Sequence, residues 1–364
     1  MNYPALPEPG TETAEALVAR LGNRFEDTLR EVVGEDLSRP YVLLDHPDHP
    51  NVGDSAIYLG EVLALERIFG RPPVYVCKFS TDWEEIRASV PDDAVIFLHG
   101  GGNFGDIWEF YQIFREKVFQ QFSQHRIIHL PQSIHYGNVE RIAQTAKAIA
   151  CARRLTLLLR DEPSMALAAE HFDCDLRLCP DAAFAIGTLP RPAPPQVDLL
   201  LMLRDDKEST GPRFDASRLS PRFAASYIVD DWGADASNVY KSATWMARTL
   251  ALRTGRLSDL GRPARQVAYY RALAQLRLDH GLAKLARGRF IITDRLHVHI
   301  MSSLMGIPHA FTDNSYGKIA RLSAAFGSCW QGATRATDLD AALAAAEVAL
   351  ARQDAEAGTQ AKSA

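Results

Sequence analysis

Reactive side chains follow an apolar run near position 293. Asp294-Arg295-Leu296-His297 comes directly after Ile291-Ile292-Thr293 and offers a carboxylate, a guanidinium and an imidazole. Open α/β sheets bind ligands beyond the carboxyl ends of their strands. We therefore predict that Asp294, Arg295 and His297 lie where an anionic substrate meets a proton donor. His299 diverges from His297 if a helix begins here, so we expect His299 to be structural.

Two glycine-containing loops follow earlier apolar runs. The first, around Gly53 and Asp54, precedes a helical pattern whose first N–H groups form a natural anion site, and a plain helix cap by Asp54 or Ser55 is the alternative. In the second, three consecutive glycines let the backbone pass close to a ligand at an entropic cost that a turn does not need. Candidate substrate-facing residues are Gly53, Asp54, Gly100, Gly101, Gly102 and Asn103.

Two more polar residues stand at the ends of apolar runs. The guanidinium of Arg160 is a fixed fork of donors that suits a carboxylate or a phosphate. A salt bridge from Arg160 to Asp161 or Glu162 is the alternative. Asp181, which follows Pro180, is likewise a candidate substrate-binding residue, and a role in capping or orienting a neighbour is the alternative.

Strand-like and helix-like runs alternate through the first half of the chain, as in a mostly parallel, doubly wound α/β sheet. The helical runs are long enough for the crossovers that parallel pairing requires. Predicted strands cover 41–45, 74–78, 94–98, 126–130, 155–160 and 176–179, and predicted helices cover 55–69, 107–122 and 138–152.

A proline-rich segment divides the chain, because four prolines between 190 and 195 favour an extended linker. We predict a Rossmann-like N-terminal domain over 1–189 with a leading amphipathic helix, a linker over 190–196, and a C-terminal α/β domain over 197–355. Residues 356–364 are polar and are expected to be disordered. In the second domain, predicted strands cover 197–203, 226–229 and 289–293, and predicted helices cover 238–253, 264–286, 298–305, 318–326 and 339–352.

The composition argues against several classes of protein. A net charge of -5 gives no basic surface for nucleic acid. The start lacks the basic segment and apolar core of a signal peptide, and no later run is long and apolar enough to span a membrane. The five cysteines form no CxxC pair, which is typical of reduced thiols. We expect a cytoplasmic protein without a nucleic-acid partner.

The motifs, taken in order, resemble the polysaccharide pyruvyl transferase family. The resemblance covers about 40–325 and depends on Gly53-Asp54, Gly100-Gly101-Gly102, Arg160-Asp161, Pro180-Asp181 and Asp294-Arg295-Leu296-His297. It implies a fold similar to GT-B glycosyltransferases, with the active site in a cleft between two Rossmann-like halves. It also implies transfer of pyruvate from phosphoenolpyruvate to two sugar hydroxyls as a cyclic ketal. Arg160, Arg295 and His297 would then serve the donor.

The chemistry of phosphoenolpyruvate fits these residue types. Two guanidiniums can hold its carboxylate and phosphate and balance charge as phosphate leaves. A histidine can move the protons of the reaction, so His297 is the candidate acid or base and Asp294 its support. Further candidates are Lys318 for phosphate, Asn314 and Tyr316 for sugar or donor, and Gln132, Ser133 and His135 for the acceptor.

The expected partners are phosphoenolpyruvate and a saccharide acceptor. If that acceptor is lipid-linked, the protein works at the inner face of the membrane without spanning it. No Asp-x-Asp signature follows a predicted strand, so no obligatory metal or other cofactor is expected. Two alternatives remain open: a GT-B glycosyltransferase that uses a nucleotide sugar, and a non-catalytic sugar-binding protein. The polar segment 205–235 has no assigned role.

Overall fold

A computed structural model describes residues 10–204, 214–232, 236–253, 262–313 and 317–363. The chain divides into two compact units. Unit A comprises the described residues within Leu21–Ile186 and Ala236–Leu278. Unit B comprises those within Met1–Arg20, Gly187–Asp235 and Asp279–Ala364. Both units are α/β with parallel sheets, as predicted, while the GT-B-like arrangement stays a prediction.

Unit A is built on a parallel sheet in the order β2-β1-β3-β5-β6-β7, with a short strand, β4, paired to the second half of β5. Strands β1, β2, β3 and β6 are mostly buried, apolar runs, as expected for a sheet covered on both faces. Strand β7, at the edge of the sheet, is partly exposed. Their bounds are β1 Tyr41–Leu44, β2 Tyr75–Cys77, β3 Val95–Leu98, β4 Gly101–Gly105, β5 Arg126–His135, β6 Arg154–Leu159 and β7 Asp175–Leu178.

The helices of unit A connect these strands. On α2, Gly60 packs directly against the backbone of Ala182, where a Cβ atom would lie 1.9 Å from the carbonyl oxygen. The bounds are α2 Val52–Phe69, α3 Trp83–Ser89, α4 Glu109–Gln121, α5 Val139–Ile149, α6 Glu162–His171 and α8 Ala236–Arg253, with 3-10 turns at Gly34–Ser38 and Ala182–Ile186.

Unit B carries a second parallel sheet in the order β12-β11-β10-β8-β9. Apolar residues of β8 and β10 pack with the helix α12 (Leu339–Ser363), for example Leu199, Phe290 and Leu350. The other bounds are β8 Val197–Met202, β9 Tyr227–Asp230, β10 Gly288–Thr293, β11 His309–Phe311, β12 Ala333–Arg335, α7 Pro221–Ala224, α10 Leu296–Leu304 and α11 Lys318–Phe326, with a 3-10 turn at Ala216–Arg218.

Two helices contain residues of both units, namely α1 (Ala14–Val33) and α9 (Arg262–Leu285). The amphipathic helix predicted near the start is confirmed as α1, and its apolar face is buried at Leu17, Leu21 and Phe25. Burial of that face shows that the apolar side of the helix packs against protein.

The division of the chain differs from the linear one predicted from the sequence. Residues 236–253 and 262–278 belong to unit A, although they follow the proline-rich segment, and 10–20 belong to unit B. Helix α12 continues to Ser363, so the disorder predicted for 356–364 is not seen over the residues described there. Its alanine-rich sequence explains the extension, because alanine has the highest helix propensity. Of the described helices, none is long and apolar enough to cross a membrane.

Candidate active site

The carboxyl edge of the unit A sheet gathers most of the predicted site residues. The carboxyl ends of parallel strands meet at one edge, so loops distant in sequence become neighbours there. Asp54 lies in the first turn of α2, after β1, and Arg160 and Asp181 follow β6 and β7. Also at this edge are Gly53, Gly100, Gly101, Gly102, Asn103, Gln132 and Ser133.

Arg160 is held in one orientation. Its side chain is almost fully buried, with 3% of the residue exposed. Nε donates to Ser133 Oγ at 2.9 Å, and Nη1 donates to Asp181 Oδ2 at 2.6 Å. A Cβ atom built on Gly102 would lie 2.9 Å from Nη2, and the described residues give Nη2 no hydrogen-bond partner. The guanidinium therefore keeps one edge toward the glycine loop.

The partner of Arg160 differs from the alternative considered from the sequence. Neither neighbour, Asp161 nor Glu162, forms the salt bridge, which instead goes to Asp181. Asp161 caps α6, where it accepts the Ser164 N–H at 2.9 Å and also accepts Ser133 Oγ–H at 2.5 Å. Asp161 adjoins Arg160 in sequence but is occupied by the helix start, which the sequence alone does not reveal.

Each of the three consecutive glycines is required by a different local feature of the loop. A Cβ atom at Gly100 would lie 2.6 Å from the Pro131 carbonyl oxygen, so this glycine permits close backbone packing. Gly101 has a φ of 118°, a conformation that favours glycine. Gly102 lets Arg160 Nη2 come close to the loop, since a Cβ atom there would lie 2.9 Å from it. All three glycines therefore serve the packing of the loop, and the third brings the Arg160 guanidinium against it.

A buried carboxylate, Glu61 of α2, anchors the glycine loop and was not predicted. It accepts the Gly100 N–H at 2.7 Å, and its other oxygen lies 2.7 Å from His99 Nδ1. Burial disfavours the imidazolium of His99, but the carboxylates of Glu61, Asp54 and Asp45 together outweigh burial and raise the pKa of His99. Burial also raises the pKa of Glu61. The pair fixes the ring of His99 at the end of β3.

Asn103 and Gln132 hold each other. Gln132 Nε2 donates to Asn103 Oδ1 at 3.1 Å, and the Asn103 N–H donates to Gln132 Oε1 at 3.3 Å. Arg115 of α4 is fully buried and donates to Asn103 Oδ1 at 2.5 Å. Burial lowers the pKa of Arg115 to about 10. These two predicted substrate-binding side chains therefore position the loop.

The start of α2 is capped by Asn51. Its side chain accepts the Gly53 N–H at 2.9 Å, and its Nδ2 donates to Asp54 Oδ2 at 2.8 Å. The cap is therefore Asn51 and not Asp54 or Ser55. The carboxylate of Asp54 also lies 3.4 Å from His49 Nε2, so it faces the loop that precedes the helix.

His135 ends β5 and is exposed. Its carbonyl accepts the Asp106 N–H at 3.3 Å, and a Cβ atom at Gly105 would lie 1.7 Å from the same oxygen. Backbone packing therefore explains Gly105, while the imidazole of His135 stays a predicted acceptor contact.

In unit B, the Asp-Arg-Leu-His motif bridges the end of β10 and the start of α10. Asp294 is buried, and its Oδ1 accepts the Arg204 N–H at 3.0 Å. Burial raises the pKa of Asp294. Arg295 is the N-cap residue of α10 and pairs with Asp231 Oδ2 at 2.5 Å. His297 lies in the first turn of α10 and is partly exposed.

His299 is structural, as predicted. Its Nδ1 lies 2.8 Å from His309 Nε2, and its Nε2 lies 3.0 Å from Ser328 Oγ. All three residues are fully buried. Burial holds the pKa of His299 well below its usual value, so the ring remains neutral inside unit B.

Of the remaining predicted residues, the structure describes Lys318. Lys318 is the first residue of this helix and is partly exposed. Asp313 accepts the N–H groups of Ile319 and Ala320 at 3.2 and 3.0 Å, so it supplies the capping contacts. Asn314 and Tyr316 lie outside the described residues. The same holds for 205–213 and 233–235 of the polar segment.

The chain matches one family model along most of its length. The model describes polysaccharide pyruvyl transferases and matches residues 51–316. The chain belongs to the polysaccharide pyruvyl transferase family. This range includes Gly53, the glycine loop, Arg160, Asp181 and the Asp-Arg-Leu-His motif.

Individual relatives agree with the family model. The chain is 34% identical to Pyruvyl transferase 1 of Schizosaccharomyces pombe over 289 residues, 76% of this chain and 67% of that protein. It is 29% identical to the putative pyruvyl transferase EpsO of Bacillus subtilis, over 77% of this chain and 83% of that protein. A solved structure of a functionally uncharacterized protein from Klebsiella pneumoniae is similar in fold, with a TM-score of 0.54 and 15% identity over 87% of this chain and 99% of that one.

Proposed function

We propose that this chain transfers pyruvate from phosphoenolpyruvate to a saccharide as a cyclic ketal and releases phosphate. Pyruvyl transfer to a polysaccharide follows from the family. The donor and the acceptor are our proposal. The observation that carries it is Arg160, whose guanidinium is locked by Ser133 and Asp181 and keeps Nη2 toward Gly102.

The orientation of the Arg160 guanidinium supports an anionic donor. Asp181 pairs with one edge of the guanidinium. A bidentate pair with a carboxylate or phosphate needs two parallel donors, which must come from the other edge or from neighbouring groups. Nη2 offers donors toward the loop, and backbone N–H groups of a glycine-rich segment can complete such an anion site. We assign Arg160 to the carboxylate or phosphate of the donor.

The motif in unit B supplies the remaining proposed roles. Arg295 carries a second guanidinium, tied to Asp231, and the family resemblance assigns it to the donor. His297, in the first turn of α10, is proposed as the acid that protonates the methylene carbon. Asp294 supports this segment because its carboxylate joins the end of β10 to the backbone of Arg204.

The proposed acceptor is an exopolysaccharide or cell-wall precursor, lipid-linked and reached from the cytoplasmic face of the membrane. No group of three or more potential metal ligands occurs among the described His, Cys, Asp and Glu residues. We propose that the reaction needs no metal, and assays with and without a chelator test this point.

The test is to incubate the protein with phosphoenolpyruvate and a panel of oligosaccharides. Mass spectrometry should show one pyruvyl group per saccharide, with one phosphate released for each. Arg160→Ala and His297→Ala should lose this activity, and circular dichroism of each variant checks that it is folded. Transfer of a sugar from a nucleotide sugar, or saccharide binding with no turnover of either donor, would contradict the proposal.

A further inference from the structure

Asp45 has an unusual backbone at the end of β1. Its φ is 72°, and among the described residues it is the only one other than glycine with a positive φ. This conformation is strained for a residue with a Cβ atom, and such strain is concentrated at functional sites. Glycine would adopt the turn without strain. An aspartate at this position therefore suggests that the carboxyl group is needed.

The carboxyl group of Asp45 is buried without compensation. Only 2% of the residue is exposed, and Oδ1 has no hydrogen-bond partner among the described residues. A buried polar group without a partner costs free energy, and native proteins rarely keep one without a reason. An incoming hydroxyl donor would satisfy this oxygen.

Asp45 lies beside the glycine loop. Strands β1 and β3 are paired with Leu44 opposite Leu98, so Asp45 is next to His99 at the same sheet edge. Asp54 approaches this loop as well, since a Cβ atom on Gly101 would lie 3.6 Å from its Oδ1. The carboxyl group therefore belongs to the edge that carries Arg160.

The surroundings of Asp45 keep both of its protonation states accessible. Burial raises its pKa to about 7, and nearby Arg115 opposes this effect. The hydrogen bonds of Arg115 go to His129, Asn103 and Gln112, so Arg115 moderates the charge without capping the carboxylate. The charged or titratable groups that face Asp45 are Arg115 and Tyr111 from α4, His99 after β3, Glu61 and Asp54 from α2, and Cys77 from β2.

We propose that Asp45 is the general base for the acceptor, an inference that rests on the proposed function. As a sugar oxygen bonds to C2 of the enolpyruvyl group, the hydroxyl proton passes to the Asp45 carboxylate. The C2–C3 π electrons meanwhile form a C3–H bond with a proton from the donor acid. The second hydroxyl then displaces phosphate, which leaves with the electron pair of its C–O bond. The proton of that hydroxyl restores the donor acid, and Asp45 returns its own proton to solvent or phosphate.

The test compares Asp45→Asn with the wild type. Asparagine adopts positive φ as readily as aspartate and has the same shape, but it cannot take the proton. We expect kcat to fall by about 100-fold or more, a common size for an acid–base contribution, with KM for phosphoenolpyruvate nearly unchanged. The wild-type kcat should rise with pH to a plateau above about 7, and the variant should lack this rise. Asp82→Asn is the matched control, because Asp82 caps α3 and asparagine caps as well.

The outcomes separate this inference from the proposed function. If the wild type forms the ketal and Asp45→Asn keeps most of its kcat or the same pH dependence, the inference is wrong and the proposed function stands. If the wild type forms no ketal, carbon-13 NMR of the Asp45 carboxyl decides, with the variant used for assignment. A midpoint near 7 that moves when glucose, galactose, mannose or their disaccharides are added supports the inference. A midpoint near 4, or no response to these sugars, overturns it.

Discussion

Substitution of Asp45 by Asn should change how the stability of the protein depends on pH. Burial raises the pKa of this carboxyl from 3.8 to about 7. In the unfolded chain the group ionises near 4, and in the folded chain it holds its proton to near neutrality. Between these values the folded state binds more protons, so the stability of the wild type falls as pH rises from about 4 to 7.

The size of the effect follows from the same two values. One pKa unit corresponds to about 1.4 kcal/mol, so the stability of the wild type should fall by roughly this amount per pH unit in that window. Between pH 5 and pH 8 the loss is about 2.7 kcal/mol, because the fall stops near the folded pKa. Asparagine does not ionise, so Asp45→Asn should lose none of this stability.

Urea denaturation of both proteins at pH 5, 6, 7 and 8 measures the effect. The difference in unfolding free energy between wild type and variant should shift in favour of the variant as pH rises, and then level off. Effects common to both proteins cancel in this difference. A difference that stays constant to within about 0.5 kcal/mol, the uncertainty of such a comparison, would refute the assignment of a raised pKa to Asp45.

Three other predictions concern neighbouring features. Arg160→Lys keeps the charge but loses the forked guanidinium, so kcat/KM for phosphoenolpyruvate should fall by about 100-fold. Arg154→Lys, at the other end of β6, is the control and should change kcat/KM little. Similar values for both variants would contradict the role of Arg160. Gly102→Ala should reduce donor affinity in a binding assay, because its Cβ atom would displace the Arg160 guanidinium. Gly100→Ala should lower the melting temperature more than Gly102→Ala does, because its Cβ atom meets the rigid Pro131 carbonyl oxygen. The reverse order of melting temperatures would be inconsistent with this packing. His299→Ala should lower the unfolding free energy by about 2 to 4 kcal/mol through a cavity and two lost hydrogen bonds. If the variant has the same unfolding free energy as the wild type in urea denaturation, the hydrogen-bond network of His299 is not structural.

Local sequence patterns predicted much of the fold. The apolar runs around Val42, Ile96 and Leu157 become buried parallel strands, because a central strand of such a sheet needs little polar sequence. The short strand β4 was missed, since its residues Gly101–Gly105 have low strand propensity and the strand is defined by its pairing with β5. The discontinuous units were also missed, because contacts between segments distant in sequence decide which unit a segment belongs to.

The sequence predicted which residues lie at the site better than it predicted the hydrogen bonds and ion pairs that they form. Strand-end residues such as Arg160 follow from the rule that ligands bind at the carboxyl edge. Their partners do not, because Asp181 and Ser133 approach Arg160 only through strand pairing. Asp45 and Glu61 belong to none of the motifs recognised in the sequence. The one signal for Asp45 is an acid directly after an apolar strand, a pattern that also occurs in ordinary turns.

The central claim is that phosphoenolpyruvate is the donor of the pyruvyl group. Phosphoenolpyruvate labelled with carbon-13 at C2 tests it most directly when the wild-type protein and an oligosaccharide panel are followed by NMR. We predict that the label appears in a quaternary ketal carbon bonded to two sugar oxygens, with one phosphate released per ketal. Unchanged label alongside consumption of a nucleotide sugar in the same panel would contradict the claim.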